Sequence, residues 1–356
     1  MTLLTIRELK VQSGAQPLTA TIRAQLDSIH SKSAKSGNEF LELRLADAED
    51  GFVLRIWSDA AGFAAARRLL ARAFVEAAGE WTQNQYGLDA RNLTLRLLAD
   101  DEAAEILGGP LSLRERQAVD WAFVSETCGT LGDPRLRSLT LRFLDEYGER
   151  FRRTGAAREY HHARRGGLVE HVAQMMRSAL ALAAAYPNLN RDLLLAGVLF
   201  HDCGKLWENC FSPSGFSMPY SDRGELLGHI SIGIELVNTL WRALMETKEA
   251  AAWQTLEPPN EDVRLHLLHL IGSHHGEMQF GSPVWPKTPE AIVLHHIDNI
   301  DAKLEMMAAG YATGAELGKN VIERRRPLPA NLVRPLPVLA EGQNTMVNPL
   351  GSEPAE

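Results

Sequence analysis

Hydrophobic positions follow two different rhythms along this chain, and the change falls near residue 110. Before it, apolar residues tend to alternate with polar ones in short runs. Leu18 to Ile29, Glu39 to Leu45 and Phe52 to Trp57 read as strands, with turn chemistry at Ser36-Gly37-Asn38 and Glu49-Asp50-Gly51 between them. A compact helix is expected over Ala60 to Leu70. Two more strand-like stretches follow, Ala71 to Trp81 and Asn92 to Leu98, separated by Asn84 to Asp89. From Ser112 the apolar spacing becomes helical, in Arg114 to Thr127, Pro134 to Phe151 and Leu168 to Tyr186. Further helices are expected over 191–205, 225–248, 261–274 and 289–309.

Three strands, a helix and two strands is the order of an OB-like small barrel, a fold that often carries single-stranded nucleic acid. The fold class expected is therefore multidomain: an N-terminal β-barrel followed by an all-α helical domain. The expected boundaries are 1–105 for the barrel, 106–150 for connecting helices, 151–315 for the main helical domain and 316–356 for a tail. Arg324-Arg325-Arg326-Pro327-Leu328-Pro329 opens that tail, whose Pro content and lack of periodicity predict disorder.

Composition narrows the partners only slightly. At 356 residues with 45% hydrophobic content, the chain can fill real cores. A formal charge of −8 argues against coating nucleic acid non-specifically, but leaves room for a local basic groove. Three cysteines, Cys128, Cys203 and Cys210, do not form the even set of a secreted disulfide framework. With no signal-like apolar stretch at the N-terminus and no run near the roughly 20 apolar residues of a membrane helix, a cytoplasmic protein without membrane contact is expected.

The chemistry is concentrated where the greasiest stretch ends. Leu193 to Phe200 is apolar all round, the mark of a buried helix, and it runs directly into His201-Asp202-Cys203-Gly204-Lys205. A histidine and a carboxylate at a core position need pairing or a bound cation. Other hard or borderline ligands are His171, His229, the doublet His274-His275, and Asp298. Such a set, with one carboxylate able to bridge, suits two divalent ions. Two ions about 3.5 to 4 Å apart activate water against a phosphoryl group. His/Asp ligation is compatible with Mn, Fe, Co, Ni or Zn. Lys205, about one turn beyond His201, is placed to meet a phosphate oxygen.

This order of motifs resembles the HD-domain metal-dependent phosphohydrolases. More narrowly, His161-His162-Ala163 with Gly166-Gly167-Leu168-Val169-Glu170-His171, then Leu226-Leu227-Gly228-His229-Ile230, Ser273-His274-His275-Gly276 and Leu294-His295-His296-Ile297-Asp298-Asn299-Ile300-Asp301-Ala302, is similar to the YhaM-type 3′-to-5′ exoribonucleases. That family joins an OB fold to an HD domain. The resemblance implies that His171, His201, Asp202 and Asp298 hold one ion, and that Asp202, His229 and His274 hold the second. It further implies that His275 and Lys205 face the substrate phosphate, that manganese is the preferred ion, and that the chain forms a homo-oligomer. Arg164-Arg165 before the glycine pair, Cys203, and the Pro-rich tail depart from the pattern.

Plainer readings stand beside several of these. His274 against His275, and Asp298 against Asp301, are neighbouring alternatives as ligands. His266 and His269 match no ligand motif and read as ordinary helix residues. His161 and His162 would contact substrate or merely cap the next helix. Arg164 and Arg165, with Arg152, Arg153 and Arg158 nearby, would track a nucleic-acid backbone or form a solvated helix end. Trp57, at the end of an alternating strand, reads as core; Tyr86 beside Gly87 is freer to stack on a base. Cys203 reads as a small buried hydrophobe. The function expected is release of nucleoside monophosphates from the 3′ end of single-stranded RNA or another single-stranded nucleic acid. The alternatives are an HD-type hydrolase of small nucleotides or of linear or cyclic dinucleotides, and a non-catalytic nucleic-acid-binding scaffold.

Overall fold

The structure, a computed structural model, describes residues 1–84, 87–324 and 326–337. It separates into two compact units, Met1–Met306 and the residues from Met307 onward.

The first unit opens with a short strand, β1 (Thr2–Leu4), and a helix, α1 (Ile6–Gln12), neither anticipated from the hydrophobic pattern. The helix starts at a capping box in which Glu8 N donates to Thr5 Oγ1 and Thr5 N donates to Glu8 Oε2. The barrel strands follow as β2 (Leu18–Ser33), β3 (Glu39–Ala46), β4 (Gly51–Trp57), β5 (Phe74–Asn84) and β6 (Gly87–Leu97). A one-turn helix, α2 (Phe63–Ala66), lies between β4 and β5 and is much shorter than the Ala60 to Leu70 expected. The long β2 pairs antiparallel with both β3 and β5, giving the order β4-β3-β2-β5-β6 with β1 added parallel to β2. β4 and β6 meet across the closure, so the sheet has the connectivity of an OB fold.

Alternation decides which side chains enter the barrel. Ile22, Leu26, Leu43, Leu45, Leu54 and Val75 are buried to 1% exposure or less. Trp81 is also fully buried and donates Nε1–H to the Ala20 carbonyl at 3.0 Å, which makes it a core residue. Trp57 corrects the expectation of core filling: it is 41% exposed at the strand end, tilted against Phe40 with ring centroids 5.0 Å apart. Strand ends reach beyond the barrel wall, and alternation alone does not reveal that. Tyr86 lies outside the described residues.

A third unanticipated element, α3 (Asp100–Gly108), leads out of the barrel. The helical domain then comprises α4 (Leu111–Gly129), α5 (Pro134–Phe151), α6 (Gly167–Ala185), α7 (Arg191–Phe200), α8 (Lys205–Glu208), α9 (Asp222–Met245), α10 (Asn260–Ser273) and the start of α11 (Pro289–Thr313). Asp133 caps α5 ahead of Pro134 at its first position, which is why the boundary is sharp. The apolar α7 packs against α5, α6 and α10, and all its residues from Leu193 to Phe200 are buried. Gly197 permits this closeness, since a Cβ there would come within 2.2 Å of Leu270 Cδ2.

Barrel and bundle are joined by a small apolar cluster of Ala48, Leu113, Phe211 and Phe216. Beside it, Gln25 on β2 accepts the Phe216 backbone N–H at 2.7 Å. The loop between α8 and α9 is thus pinned to the barrel.

The second unit contains β7 (Glu316–Gly318), β8 (Val321–Ile322) and β9 (Leu332–Val333), an antiparallel sheet in that order. These strands lie in the segment expected to be disordered, of which residue 325 and residues 338–356 lie outside the described residues. A tight turn at Lys319-Asn320 lets β7 and β8 pair, and composition alone gave no sign of so short a ladder.

Candidate metal centre

Helix ends build most of this site. His201 and His274 stand at the C-terminal caps of α7 and α10, where the last carbonyls of a helix have no intrahelical partner. Each imidazole uses one: His201 Nδ1 donates to Val198 O at 2.8 Å, and His274 Nδ1 donates to Ile271 O at 2.8 Å. A carbonyl only accepts, so Nδ1 carries the proton and each Nε2 presents a lone pair to the interior. On α6 a carboxylate takes the carbonyl's place: His171 Nδ1 donates to Asp301 Oδ2 at 2.6 Å, which turns Nε2 to the interior.

Asp202, 2% exposed, lies at the centre of these rings. Its Oδ2 is 3.3 Å from His201 Nε2 and 3.9 Å from His171 Nε2. Its Oδ1 is 3.5 Å from His229 Nε2 and 3.7 Å from His274 Nε2. Asp298 Oδ1 is 3.3 Å from His171 Nε2, on the opposite edge of that ring from Asp301. The two oxygens of Asp202 therefore face two different groups of donors.

Glycines set the approach of the second group. Gly228 breaks α9 with φ +67°, and His229 follows immediately. The His229 carbonyl sits so close to the α8 entry that a Cβ on Gly204 would be 1.9 Å from its oxygen. Glu208, at the end of α8, places Oε2 2.9 Å from His229 Nδ1, which aims His229 Nε2 at Asp202. His275 donates Nδ1–H to the Phe280 carbonyl at 2.6 Å, and its ligand atom clusters with those of His229 and His274.

The electrostatics are those of a site built around positive charge. Asp202 Oδ1, His229 Nε2 and His274 Nε2 are buried and have no hydrogen-bond partner among the described residues. Three mutually facing acceptors in the core are costly unless a cation lies among them. Burial opposes ionisation of Asp202, but Lys205, with Nζ 2.6 Å from Oδ2, and His201 hold its carboxyl well below the usual range. Burial would lower His171, yet Asp298 and Asp301 outweigh it and raise the imidazole to about 9. Burial keeps His274 well below its ordinary value, aided by His275 and His201. The donor set of imidazoles and carboxylates thus fits divalent cations. Cys203 is buried, its thiol is pushed up by burial, and its Sγ donates to the Gly233 carbonyl at 3.9 Å.

Residues 168–303 match the family model described as HD domain. This segment is an HD domain. A 175-residue stretch, 49% of this chain, is 42% identical to the 3′-5′ exoribonuclease YhaM of Bacillus licheniformis and covers 51% of it. The chain thus spans about half the length of that curated relative. Among solved structures, the second OB-fold domain of replication protein A from Methanococcus maripaludis aligns with 28% of this chain and 97% of its own, at 19% identity. Its TM-score of 0.21 is too low to bear on the fold.

The remaining sequence candidates are placed differently from one another. His161 lies beside the His171 ring, with centroids 5.7 Å apart, and burial together with Lys205 pushes it down to about 3. His162 stands behind the ligands, its Nε2 3.0 Å from Asp301 Oδ2, in a layer that orients His171. Arg164 is occupied by Glu170 and Glu305, with Nε 3.0 Å from Glu170 Oε1 and NH1 2.8 Å from Glu305 Oε1. Its guanidinium is a structural clamp, which corrects the expectation of a substrate contact. Arg165 points instead to the α8–α9 loop, donating to Ser212 O at 2.7 Å. Sequence reasoning missed Glu208 altogether, although its place one turn beyond Lys205 put it on the path between His201 and His229.

Proposed function

We propose that the chain is a two-metal phosphodiesterase that shortens single-stranded RNA from the 3′ end and releases nucleoside monophosphates. The observation that carries the reading is Asp202, whose two carboxylate oxygens face two sets of imidazole nitrogens. In this reading His171, His201, Asp202 and Asp298 hold one ion, and Asp202, His229 and His274 hold the other. Manganese is the favoured ion; Fe, Co, Ni and Zn suit the same donors. The pair of ions, when bound, supplies charge stabilisation and a water acidic enough to ionise near neutral pH.

The protein's own groups do the rest. Lys205 is one of the few cations within the acidic centre, and it is 9% exposed. Its ammonium is poised to leave Asp202 for a phosphate oxygen, where it would offset the charge that develops there. His275 presents its free edge beside His229 and His274, either to the phosphate or as a further ligand. His161, kept neutral, offers a hydrogen bond to the substrate without adding positive charge. The 42% identity to an exoribonuclease supports the substrate class, and the OB-type sheet supports a single strand as the form delivered.

Oligoribonucleotides labelled at the 5′ or at the 3′ end, incubated with the full chain and manganese, test this directly. A labelled mononucleotide released at once from the 3′ label, with a descending ladder from the 5′ label, is expected. Internal cleavage, or hydrolysis confined to cyclic and small dinucleotides, would overturn it.

A further inference from the structure

At the seam between barrel and bundle lies a cleft of about 500 Å³ that the metal chemistry does not use. Among the described residues, its wall carries four guanidinium groups, Arg114, Arg152, Arg153 and Arg165, against a single carboxylate, Glu149. For a chain with a formal charge of −8 this is a strong local reversal. Glu149 is spent on Arg153, at 2.7 Å, and its side chain is 90% exposed.

Apart from the Arg153–Glu149 pair, Arg152, Arg153 and Arg165 are held by groups that carry no charge. Arg165 is held by the carbonyls of Ser212 and Gly215, at 2.7 and 3.3 Å, and Arg153 Nε donates to Phe211 O at 3.2 Å. Arg152 lies over the Trp121 ring, 5.5 Å from its centroid. Carbonyls and an aromatic face orient a guanidinium while leaving its full charge. Burial, together with Arg153, lowers the Arg165 pKa, and Glu149 offsets this only in part. Such a wall is pre-organised for an anion with several acceptor oxygens, and guanidinium forks suit phosphate best.

Resting on the single-stranded RNA reading above, we propose that this cleft is a second phosphate site, which grips the RNA backbone between the barrel and the metal centre. Its position favours a strand over a free anion. Ala48 of the barrel lines one side, and Val169, two residues before His171, lines another. The loop that anchors Arg165 runs on from Glu208, beside His229, and is fastened to β2 through Gln25. One loop therefore connects the cation wall to both the barrel and the second ligand group.

The test is the affinity of the full chain for a short fluorescein-labelled oligouridylate, by anisotropy in EDTA and across a salt series. Arg114 and Arg152 are exposed and removable without opening a core. Arg114→Gln/Arg152→Gln is expected to bind roughly tenfold or more weakly, and its salt slope to be shallower by about 1.4, from about 0.7 per phosphate contact on a single strand. Unchanged affinity and slope would overturn the site. Pyrophosphate binding that the substitutions abolish while oligouridylate binding is untouched would overturn the strand assignment and make it a free-anion site. Because EDTA stops hydrolysis, the result is separate from the exonuclease reading: arginine-dependent binding without shortening on added manganese leaves the cleft standing and removes that reading.

Discussion

Asp301 accepts the Nδ1 proton of His171 at 2.6 Å, and that single contact turns Nε2 of His171 toward Asp298 and Asp202. Two aspartates one helical turn apart on α11 thus face different edges of that ring, and in the proposed reading Asp298 would hold an ion while Asp301 would orient His171. Orienting carboxylates of this kind typically matter 10- to 100-fold in metal affinity. Asp301→Asn is expected to weaken metal binding by about that factor while leaving the ligand count intact, measured by calorimetric titration with manganese. Loss of an entire ion from the stoichiometry would make Asp301 a ligand instead.

The same logic applies to Glu208, whose Oε2 lies 2.9 Å from His229 Nδ1. Glu208→Gln keeps the size of the side chain and removes its charge. A roughly 10- to 100-fold loss of affinity for the ion that His229 would hold is expected, with the other ion unaffected. Equal loss at both, or at neither, would separate Glu208 from His229 in function.

His171 makes metal-free stability depend on pH in a definite direction. Its folded pKa is raised to about 9, from 6.5, by Asp298 and Asp301 against the pull of burial. A raised value means that the stabilisation is fully present below 6.5 and is lost as pH rises through 9, an effect of at most about 3 kcal/mol. Urea midpoints in EDTA should fall across that window, and saturating manganese, which replaces the proton, should remove the fall. A flat midpoint in EDTA would contradict the pairing.

Gly204 is a glycine for reasons of space. An added Cβ would lie 1.9 Å from the His229 carbonyl oxygen, so α8 and the kink at Gly228 would have to separate. Gly204→Ala is expected to cost about 1 to 3 kcal/mol and to weaken metal binding together with stability. Thermal unfolding with and without manganese would show both, and a fully stable variant with normal metal uptake would refute the packing argument.

In the barrel, two tryptophans should behave in opposite ways. Trp81, fully buried and hydrogen-bonded to Ala20 O, should cost about 3 to 5 kcal/mol when replaced by Ala. Trp57, 41% exposed against Phe40, should cost little stability but lower single-strand affinity, since stacking contributes about 1 to 3 kcal/mol per base. Denaturation and anisotropy on the two variants would tell them apart; a Trp57→Ala protein that binds RNA normally would exclude it as a platform.

Much of this was legible in the sequence wherever one physical signal dominated. Pro134–Phe151 is bounded by a cap and a first-position proline, and the structure has those same limits. The all-apolar Leu193 to Phe200 announced a buried helix, and the histidine and carboxylate after it announced charge in a core. What was not legible depended on contacts distant in sequence. β1 is too short to show alternation, and it exists because Thr2 to Leu4 adds to β2. Asp298 and Asp301 are both compatible with one helix face, and only their separation across the His171 ring distinguishes them. Arg164 looked like a free cation until Glu305 on α11 was brought against it.

The most direct test of the central claim is the manganese content of the full chain and of Asp202→Ala, measured by elemental analysis after equilibrium dialysis. The account predicts two ions per chain in the wild type and loss of both sites, together with hydrolysis, when the shared carboxylate is removed. Two ions retained by Asp202→Ala would contradict it.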